Sequence, residues 1–429
     1  MIPMKAVKKV LSNAIRILTI PMPSYESVTL SVWVNTGSRD ESEKVSGISH
    51  FLEHMTFKGS KKRPSAKAIS EVVDSIGGEF NAGTSKEWTD FYIKARWGVL
   101  ETAFDILADM IINPILPASE IEKEKGVIIE EIRMYEDTPV LRIGEIFEQL
   151  IFTGSPLARD IIGTELTVKS VKRNDFLRYR KDHYVGESTI ITVSGGVGSK
   201  KVEELAEKYF GKLPASPAGG QNSQPSLKLR PTGARVKLHS KKKEQAHLVL
   251  GFLGNKYGSR QRYQEALLAT ILGSGMSSRM FLEVREKRGL AYAIRTSVDH
   301  YQDTGYLATY AGVDPKKIDE AVKVMLNQYY GISSKELRIT SQELKKAKEF
   351  IKGHLALSLE DTKDVNSFFG IEELMLGSVK TPQEVMAEID NVTQEEIYEV
   401  AQKFFKPERL NLAIIGPYDD QARFERILK

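Results

Sequence analysis

Two histidines and a glutamate near the N-terminus have the spacing of a metal site. His50 and His54 are four positions apart, and Glu53 directly precedes His54 in the segment His50-Phe51-Leu52-Glu53-His54. On a helix this spacing places both imidazoles on one face, one turn apart, where they can bind one ion. Neutral imidazoles hold Zn²⁺ and leave a position open for water, whose proton a neighbouring carboxylate can take. The motif therefore predicts a zinc site with Glu53 as the general base.

A third protein ligand is expected from an acidic helix further along the chain. Residues 119–131 have a helical pattern that opens with a capping box from Ser119 to Glu122. Glu124 and Glu131 are two turns apart on one face of this helix. Glu131 can complete a His-His-Glu ligand set, and Glu124 can then orient a ligand or the water by hydrogen bonding.

The alternative interpretation is a chance pair of surface histidines, because a short motif can arise by coincidence among seven histidines. The acidic helix favours the metal site over this alternative. The remaining histidines show no ligand spacing and are expected in packing or surface roles: His183, His239, His247, His300 and His354.

The elements that must position these residues have clear patterns. Around the histidines, an apolar stripe predicts a buried helix face, and Gly59 can end the helix. The stripe consists of Ile48, Phe51, Leu52 and Met55. At the start of the chain, residues 16–20 are predicted to be the first strand.

The two halves of the chain repeat one order of elements: strand, helix, two strands, helices, strand. In the first half these patterns lie at 28–34, 47–57, 79–84, 90–95, 100–113 and 189–195, and in the second at 246–252, 263–272, 292–297, 306–310, 317–330 and 410–416. The repeat predicts an α+β fold of two homologous domains, each a mainly antiparallel or mixed sheet covered by helices. A stretch rich in Pro, Gly and Ser at 213–231 predicts a linker between domains 1–212 and 232–429.

Composition restricts the class of protein further. The chain has 429 residues, nearly balanced charge (61 basic and 57 acidic residues) and no cysteine. Disulfides and thiolate ligands are therefore excluded, and a concentrated basic surface for nucleic acid is not expected. No apolar run approaches the roughly 18 residues of a membrane span, and no signal peptide is evident, so we expect a cytoplasmic protein.

The motif and the acidic helix together resemble the pitrilysin or insulinase family of zinc peptidases. Within that family the chain is most similar to the bacterial relatives of the β-subunit of the mitochondrial processing peptidase. The resemblance extends over essentially the whole chain. It rests on residues 47–55, Phe80-Asn81-Ala82, residues 124–131 and residues 285–292. It implies that the acidic metal ligand is Glu131 rather than Glu130, with Glu124 as the supporting acid.

The resemblance also implies substrate contacts. Phe80-Asn81-Ala82 would lie on an edge strand to which an extended peptide adds through its main chain, although an ordinary edge strand is the alternative. Arg285 and Tyr292 would hold the substrate carbonyl and stabilise the oxyanion. The stretch 272–278 resembles the loop that precedes this arginine, and a simple helix end and turn is an equally open interpretation.

From the resemblance we expect a zinc endopeptidase or oligopeptidase that binds one Zn²⁺ per chain and cleaves short or unfolded peptides. Each chain would form half of a clamshell. A homodimer could supply a complete site, with the partner's C-terminal domain contributing the arginine and tyrosine. The alternatives are a non-catalytic scaffold of the same fold and a partner subunit of a heterodimer.

Overall fold

The computed structural model describes residues 4–216, 235–242 and 244–428. Within these residues the strands are β1 (Val7–Val10), β2 (Arg16–Pro21), β3 (Ser27–Val34), β4 (Glu79–Thr84), β5 (Thr89–Arg96), β6 (Thr189–Gly195), β7 (Arg235–Ser240), β8 (Ala246–Leu253), β9 (Ala291–His300), β10 (Gly305–Val313) and β11 (Leu410–Gly416). The α-helices are α1 (Ile48–Thr56), α2 (Ala66–Ser75), α3 (Leu100–Ile112), α4 (Ala118–Asp137), α5 (Pro139–Ile151), α6 (Glu165–Ser170), α7 (Arg173–His183), α8 (Ser199–Phe210), α9 (Arg262–Gly273), α10 (Ile318–Ser333), α11 (Ser341–Ser358), α12 (Thr362–Leu376), α13 (Pro382–Asn391), α14 (Gln394–Phe404) and α15 (Gln421–Ile427).

The described residues form two compact units, each built from three segments of the chain. Unit 1 takes its residues from Met1–Arg133, Arg159–Pro225 and Ala356–Gln383. Unit 2 takes its residues from Met134–Ala158, Ser226–Leu355 and Glu384–Lys429.

Each unit contains one mixed sheet, and the two sheets share a strand order. Sheet 1 has the order β1-β2-β6-β3-β5-β4, and only β2 and β6 pair in parallel. Sheet 2 has the order β7-β11-β8-β10-β9, and only β7 and β11 pair in parallel. From β2 onwards the first sheet matches the second strand for strand. The predicted α+β fold with a repeated, mainly antiparallel sheet is confirmed, and β1 is an addition to the first copy.

Each sheet is covered by a helix from the other half of the sequence. Helix α12 packs against β3 and β6 in unit 1, and α5 packs against β8 and β11 in unit 2. A Cβ at Gly251 on β8 would lie 2.8 Å from the Phe147 ring of α5, so glycine permits this close approach. The compact units therefore do not follow a simple division of the chain at its middle. The linker and the domain bounds 1–212 and 232–429 stay predictions, because residues 217–231 lie outside the described part of the chain.

Two local predictions were wrong. The segment at 16–20 is the second strand, because Val7–Val10 forms a strand that pairs with it. The capping box at Ser119 is not formed, because α4 begins one residue earlier and Pro117 O already accepts a helical bond from Ile121 N at 3.0 Å. Among the described helices, none combines the length and apolar character needed to cross a membrane.

Candidate metal centre

Helix α1 carries the histidine motif on one face and buries the other. The predicted apolar stripe is fully buried: Ile48, Phe51, Leu52 and Met55. Helix entry occurs at Gly47, whose φ of 93° lies in the left-handed region that favours glycine. Burial of the stripe leaves His50, Glu53 and His54 on the partly exposed side of the helix.

A buried carboxylate holds the N-terminal end of α1. Glu41 accepts hydrogen bonds from Gly47 N at 2.7 Å and Ser49 N at 2.8 Å. The first backbone N–H groups of a helix have no partner within the helix, and Glu41 supplies one. The Ser49 hydroxyl lies 2.7 Å from the Tyr179 hydroxyl of α7. Burial raises the pKa of Glu41 to about 7, although the backbone bonds oppose the shift. No sequence pattern pointed to Glu41, because it lies in a segment without a predicted element.

Helix α4 brings Glu131 to the two imidazoles. Glu131 Oε1 lies 3.7 Å from His50 Nε2, and Glu131 Oε2 lies 3.8 Å from His54 Nε2. The three groups offer ligand atoms that all lie within 4.8 Å of one another. The neighbouring Glu130 is exposed and pairs with Arg133 at 2.6 Å. The helix therefore turns Glu131, and not Glu130, toward the histidines, in agreement with what the family resemblance implied.

Glu124 lies two turns before Glu131 on α4 and contacts His54. Glu124 Oε1 lies 2.8 Å from His54 Nδ1, and Glu124 Oε2 lies 2.6 Å from Lys58 Nζ. Burial alone would raise the pKa of Glu124, but the bonds to His54 and Lys58 hold it below its usual value. An ionised carboxylate can only accept, so a neutral His54 carries its proton on Nδ1 and keeps the Nε2 lone pair toward Glu131. The sequence predicted Glu124 in this role and missed Lys58.

The two histidines have opposite electrostatic environments. Burial, helped by the charge of His54, lowers the pKa of His50 to about 3, so its imidazole is neutral near pH 7. Burial also acts to lower the pKa of His54, but the bond and charge of Glu124 outweigh it and raise the pKa. His50 Nδ1 is buried and has no hydrogen-bond partner among the described residues.

The side chain of Glu53 extends from α1 to the end of β4. The Thr84 hydroxyl donates to Glu53 Oε2. Burial raises the pKa of Glu53, while the Thr84 bond and the His54 charge oppose the shift. Burial also raises the pKa of Asp90 on β5 to about 7, and the charge of Glu53 adds to this effect. Thr84 falls within a strand that the sequence predicted, but no role was assigned to it.

The strand that carries Phe80-Asn81-Ala82 is the outermost strand of sheet 1, as predicted. Strand β4 pairs only with β5 in the sheet order, and its last residue is the Thr84 that contacts Glu53. The ring of Phe80 lies 5.5 Å from the ring of Phe57, which follows α1. The Asn81 side chain accepts a bond from Ala82 N at 2.9 Å.

Arg285 and Tyr292 belong to unit 2, whereas the histidine motif belongs to unit 1. Arg285 lies in a π-helical turn, Phe281–Glu286, with its guanidinium 4.7 Å from the Phe281 ring centre. Tyr292 is 69% exposed near the start of the edge strand β9. Their predicted roles toward substrate stay predictions. Residues 272–278 include the end of α9 and a turn in which the Ser278 hydroxyl donates to Gly275 O at 2.7 Å.

Four of the five other histidines contact a polar group or an aromatic ring, and His239 lies on β7. His300 lies 2.9 Å from the buried Glu265, and His247 lies 2.9 Å from the Tyr310 hydroxyl. The ring of His183 lies 4.4 Å from that of Tyr179, and the ring of His354 lies 4.3 Å from that of Phe350, both in tilted arrangements. In the described part of the chain, His50, His54 and Glu131 form the one group of metal-ligand side chains.

The donor set fits a divalent zinc ion. Tetrahedral bonds of about 2.1 Å separate neighbouring ligand atoms by roughly 3.4 Å, and the two Nε2 to Oε distances of 3.7 and 3.8 Å are close to this value. These distances are too long for hydrogen bonds. A neutral imidazole at His50 and a fixed Nδ1 proton at His54 are what zinc coordination requires.

Fold and site together define a class: an α+β protein of two similar units, one of which carries an inverted His-x-x-Glu-His helix opposite an acidic helix. The family model described as insulinase (peptidase family M16) matches residues 16–165, and the model described as the peptidase M16 inactive domain matches residues 170–351. An uncharacterized zinc protease of Bacillus subtilis is 37% identical over 94% of this chain and 97% of its own length. One of Streptomyces coelicolor is 34% identical over 96% of this chain and 89% of its own length. The chain belongs to the insulinase family, peptidase family M16.

Solved structures agree with this fold. A protease from Helicobacter pylori has a TM-score of 0.90 at 23% identity and covers 97% of this chain and 100% of its own. A peptidase M16 inactive domain from Pseudomonas fluorescens has a TM-score of 0.88 at 17% identity, covering 97% of this chain and 99% of its own. The predicted relationship to the processing peptidase β-subunit stays a prediction.

Proposed function

We propose that the chain is a zinc-dependent endopeptidase or oligopeptidase that holds one Zn²⁺ through His50, His54 and Glu131. The observation that carries the proposal is the convergence of these three groups, from two helices, to within 4.8 Å. The names of the relatives, which are called zinc proteases, support the metal and the reaction class.

The protein's own groups divide the work of hydrolysis. When bound, the ion would act as a Lewis acid that lowers the pKa of water toward about 7. Glu53 takes the proton of the attacking water and later delivers it to the leaving amine. Because Thr84 donates to Oε2 of Glu53, we assign the proton transfer to Oε1. Burial raises the pKa of Glu53, and this favours the role, because a carboxylate with a low pKa is a weak base and would accept the proton poorly.

Peptide substrates bind as an added strand along β4. The open edge of this strand and its contact with Glu53 through Thr84 support the assignment of Phe80, Asn81 and Ala82 to main-chain binding. Backbone pairing requires an extended chain, so short or unfolded peptides are the preferred substrates. Arg285 and Tyr292 are proposed to hold the carbonyl and stabilise its developing charge.

The test of the metal and the base uses two variants and a matched control. Glu53→Gln should keep zinc, measured by elemental analysis, and lose about 10² to 10⁴-fold in cleavage of a quenched peptide library. Glu131→Gln should lose zinc, whereas Glu130→Gln, the same change one residue away, should keep both zinc and activity. A chelator should abolish cleavage by the wild-type chain. Undiminished turnover by Glu53→Gln would remove Glu53 as the base.

A homodimer is proposed to complete the site, with the partner's C-terminal half contributing the arginine and tyrosine. Glu53→Gln and Arg285→Ala should each be inactive alone. Co-expressed in equal amounts, they should regain about a quarter of the wild-type activity, because half of the dimers are mixed and each mixed dimer has one intact site. If the mixture stays inactive while capture of a tag on one variant recovers the other variant in the dimer fraction, the site is not shared.

A non-catalytic scaffold of the same fold and a heterodimer subunit are the alternatives. The complete ligand set and the placement of Glu53 beside it favour the enzyme. Peptidase activity that co-elutes with the purified chain, at the size of a dimer, would distinguish the enzyme from both alternatives.

A further inference from the structure

A lysine beside the proposed zinc site is part of a chain of charged contacts. Lys58 follows the end of α1, where its backbone N donates to Met55 O at 3.2 Å. Its ammonium lies 2.6 Å from Glu124 Oε2. The side chain of Glu124 is 5% exposed and that of Lys58 is 26% exposed. This sheltered pair differs from surface pairs on α4, the helix that carries Glu124. In the pair of Lys123 with Glu120, for example, the side chains are 70% and 32% exposed.

The two oxygens of Glu124 have separate partners. Oε2 accepts from Lys58, and Oε1 faces His54 Nδ1 at 2.8 Å. Two charged contacts from different directions fix the plane of a carboxylate more firmly than one contact can. The plane of the carboxylate in turn fixes the imidazole of His54, whose Nε2 faces Glu131 at 3.8 Å.

The other histidine has no such support. His50 Nδ1 has no hydrogen-bond partner among the described residues, so no hydrogen bond fixes this imidazole in the way that Glu124 fixes that of His54. Among the described residues, the hydrogen-bonded support of the histidine pair therefore comes through His54, by one chain that runs from Lys58 through Glu124.

We propose that Lys58 is a positioning residue for the metal: by holding Glu124, it aims His54 Nε2 at the ion. The proposal rests on the zinc site proposed above. Lys58 acts without touching the ion or the substrate. Groups that orient a metal ligand through a hydrogen bond typically change metal affinity by about 10- to 100-fold when they are removed.

The experiment compares zinc affinity, measured by competition with a chromophoric chelator, among substitutions of Lys58. Lys58→Met keeps the aliphatic stem and removes the charge, and should weaken zinc binding by about 10- to 100-fold. Lys58→Arg restores the charge and should recover most of the affinity. Lys123→Met, which removes an exposed lysine of α4, the helix that carries Glu124, should leave the zinc affinity unchanged.

A double substitution tests whether Lys58 acts through Glu124. Zinc affinity of Lys58→Met with Glu124→Gln should match that of Glu124→Gln alone. Full additivity of the two losses would overturn the proposal, and so would wild-type affinity in Lys58→Met. If Lys58→Met does not fold, Lys58→Gln replaces it in both comparisons.

The outcome separates this inference from the proposed function. If the wild-type chain binds no zinc, the proposed function fails and the role of Lys58 fails with it. If the wild-type chain binds zinc and Lys58→Met binds it equally well, only the role of Lys58 is refuted. If Lys58 had only a structural role, Lys58→Met would lower the unfolding midpoint measured in excess chelator. It would not change the zinc affinity of the folded fraction.

Discussion

Glu41 gives the stability of unit 1 a pH dependence of definite sign. Its carboxyl is buried at the start of α1 and accepts bonds from Gly47 N and Ser49 N. Burial raises its pKa from the ordinary 4.5 to about 7. The folded protein therefore keeps this proton at a pH where the unfolded chain has lost it. The stabilisation is complete below about pH 4.5 and is lost as the pH rises through about 7.

The magnitude follows from the two pKa values. A difference between 4.5 and about 7 corresponds to about 3 kcal/mol, most of which is lost between pH 5 and pH 8. Glu41→Gln has a similar shape and does not ionise, so it lacks this loss. The wild-type unfolding free energy minus that of the variant should fall by about 2–3 kcal/mol over this range. The charged and titratable neighbours are Arg159 and Tyr179, and arginine and tyrosine side chains keep their protons here.

The assay is urea unfolding at pH 5 and pH 8, followed by tryptophan fluorescence in excess chelator so that metal binding does not contribute. All three tryptophans, Trp33, Trp88 and Trp97, lie in unit 1, so the probe reports on the unit that contains Glu41. Glu43→Gln makes the same change at an exposed position and should reproduce the wild-type pH dependence. A difference between wild type and Glu41→Gln that is the same at both pH values would refute the reasoning.

Three further outcomes are expected. Gly251→Ala should destabilise unit 2 by about 1–3 kcal/mol in calorimetry, because the new Cβ would lie 2.6 Å from Ala308 Cβ and 2.7 Å from a backbone oxygen. Asn366→Ala should lower the stability of unit 1 by about 2 kcal/mol in urea, since its buried amide donates to Thr29 O and Thr192 O at 2.9 Å. Zinc at about 100 times its dissociation constant should raise the unfolding free energy by about 2.7 kcal/mol, and equal stability with and without zinc would argue against a folded-state metal site.

The parts of the fold that were predictable from sequence are those with local periodicity. The apolar stripe of α1 and the alternation in β4 and β5 gave bounds within a residue or two of the observed ones. The same local rules placed Glu124 and Glu131 on one face of α4. The choice of Glu131 over Glu130 came from the family resemblance, and the exposed pair of Glu130 with Arg133 agrees with it.

What the sequence could not reveal depends on contacts between distant segments. An amphipathic pattern shows that α5 and α12 bury one face, but it does not show which sheet receives that face. The residues that contact the histidine motif also come from distant segments of the chain. Thr84 reaches Glu53 because β4 ends beside α1, and Glu41 reaches the helix from a segment between two short 3-10 helices. Polar residues without periodicity carry no pattern that could identify these contacts.

The short length of α1 explains why so many buried polar groups surround it. A helix of nine residues is marginal in water, so its geometry must come from the rest of unit 1. Glu41 holds its first turn, and Lys58, just beyond its last turn, ties the chain to α4 through Glu124. Because polar contacts fix both ends of α1, its two imidazoles are held facing Glu131. The ligand side chains then lose their conformational freedom when the protein folds, not when the metal binds. This preorganisation favours tight metal binding.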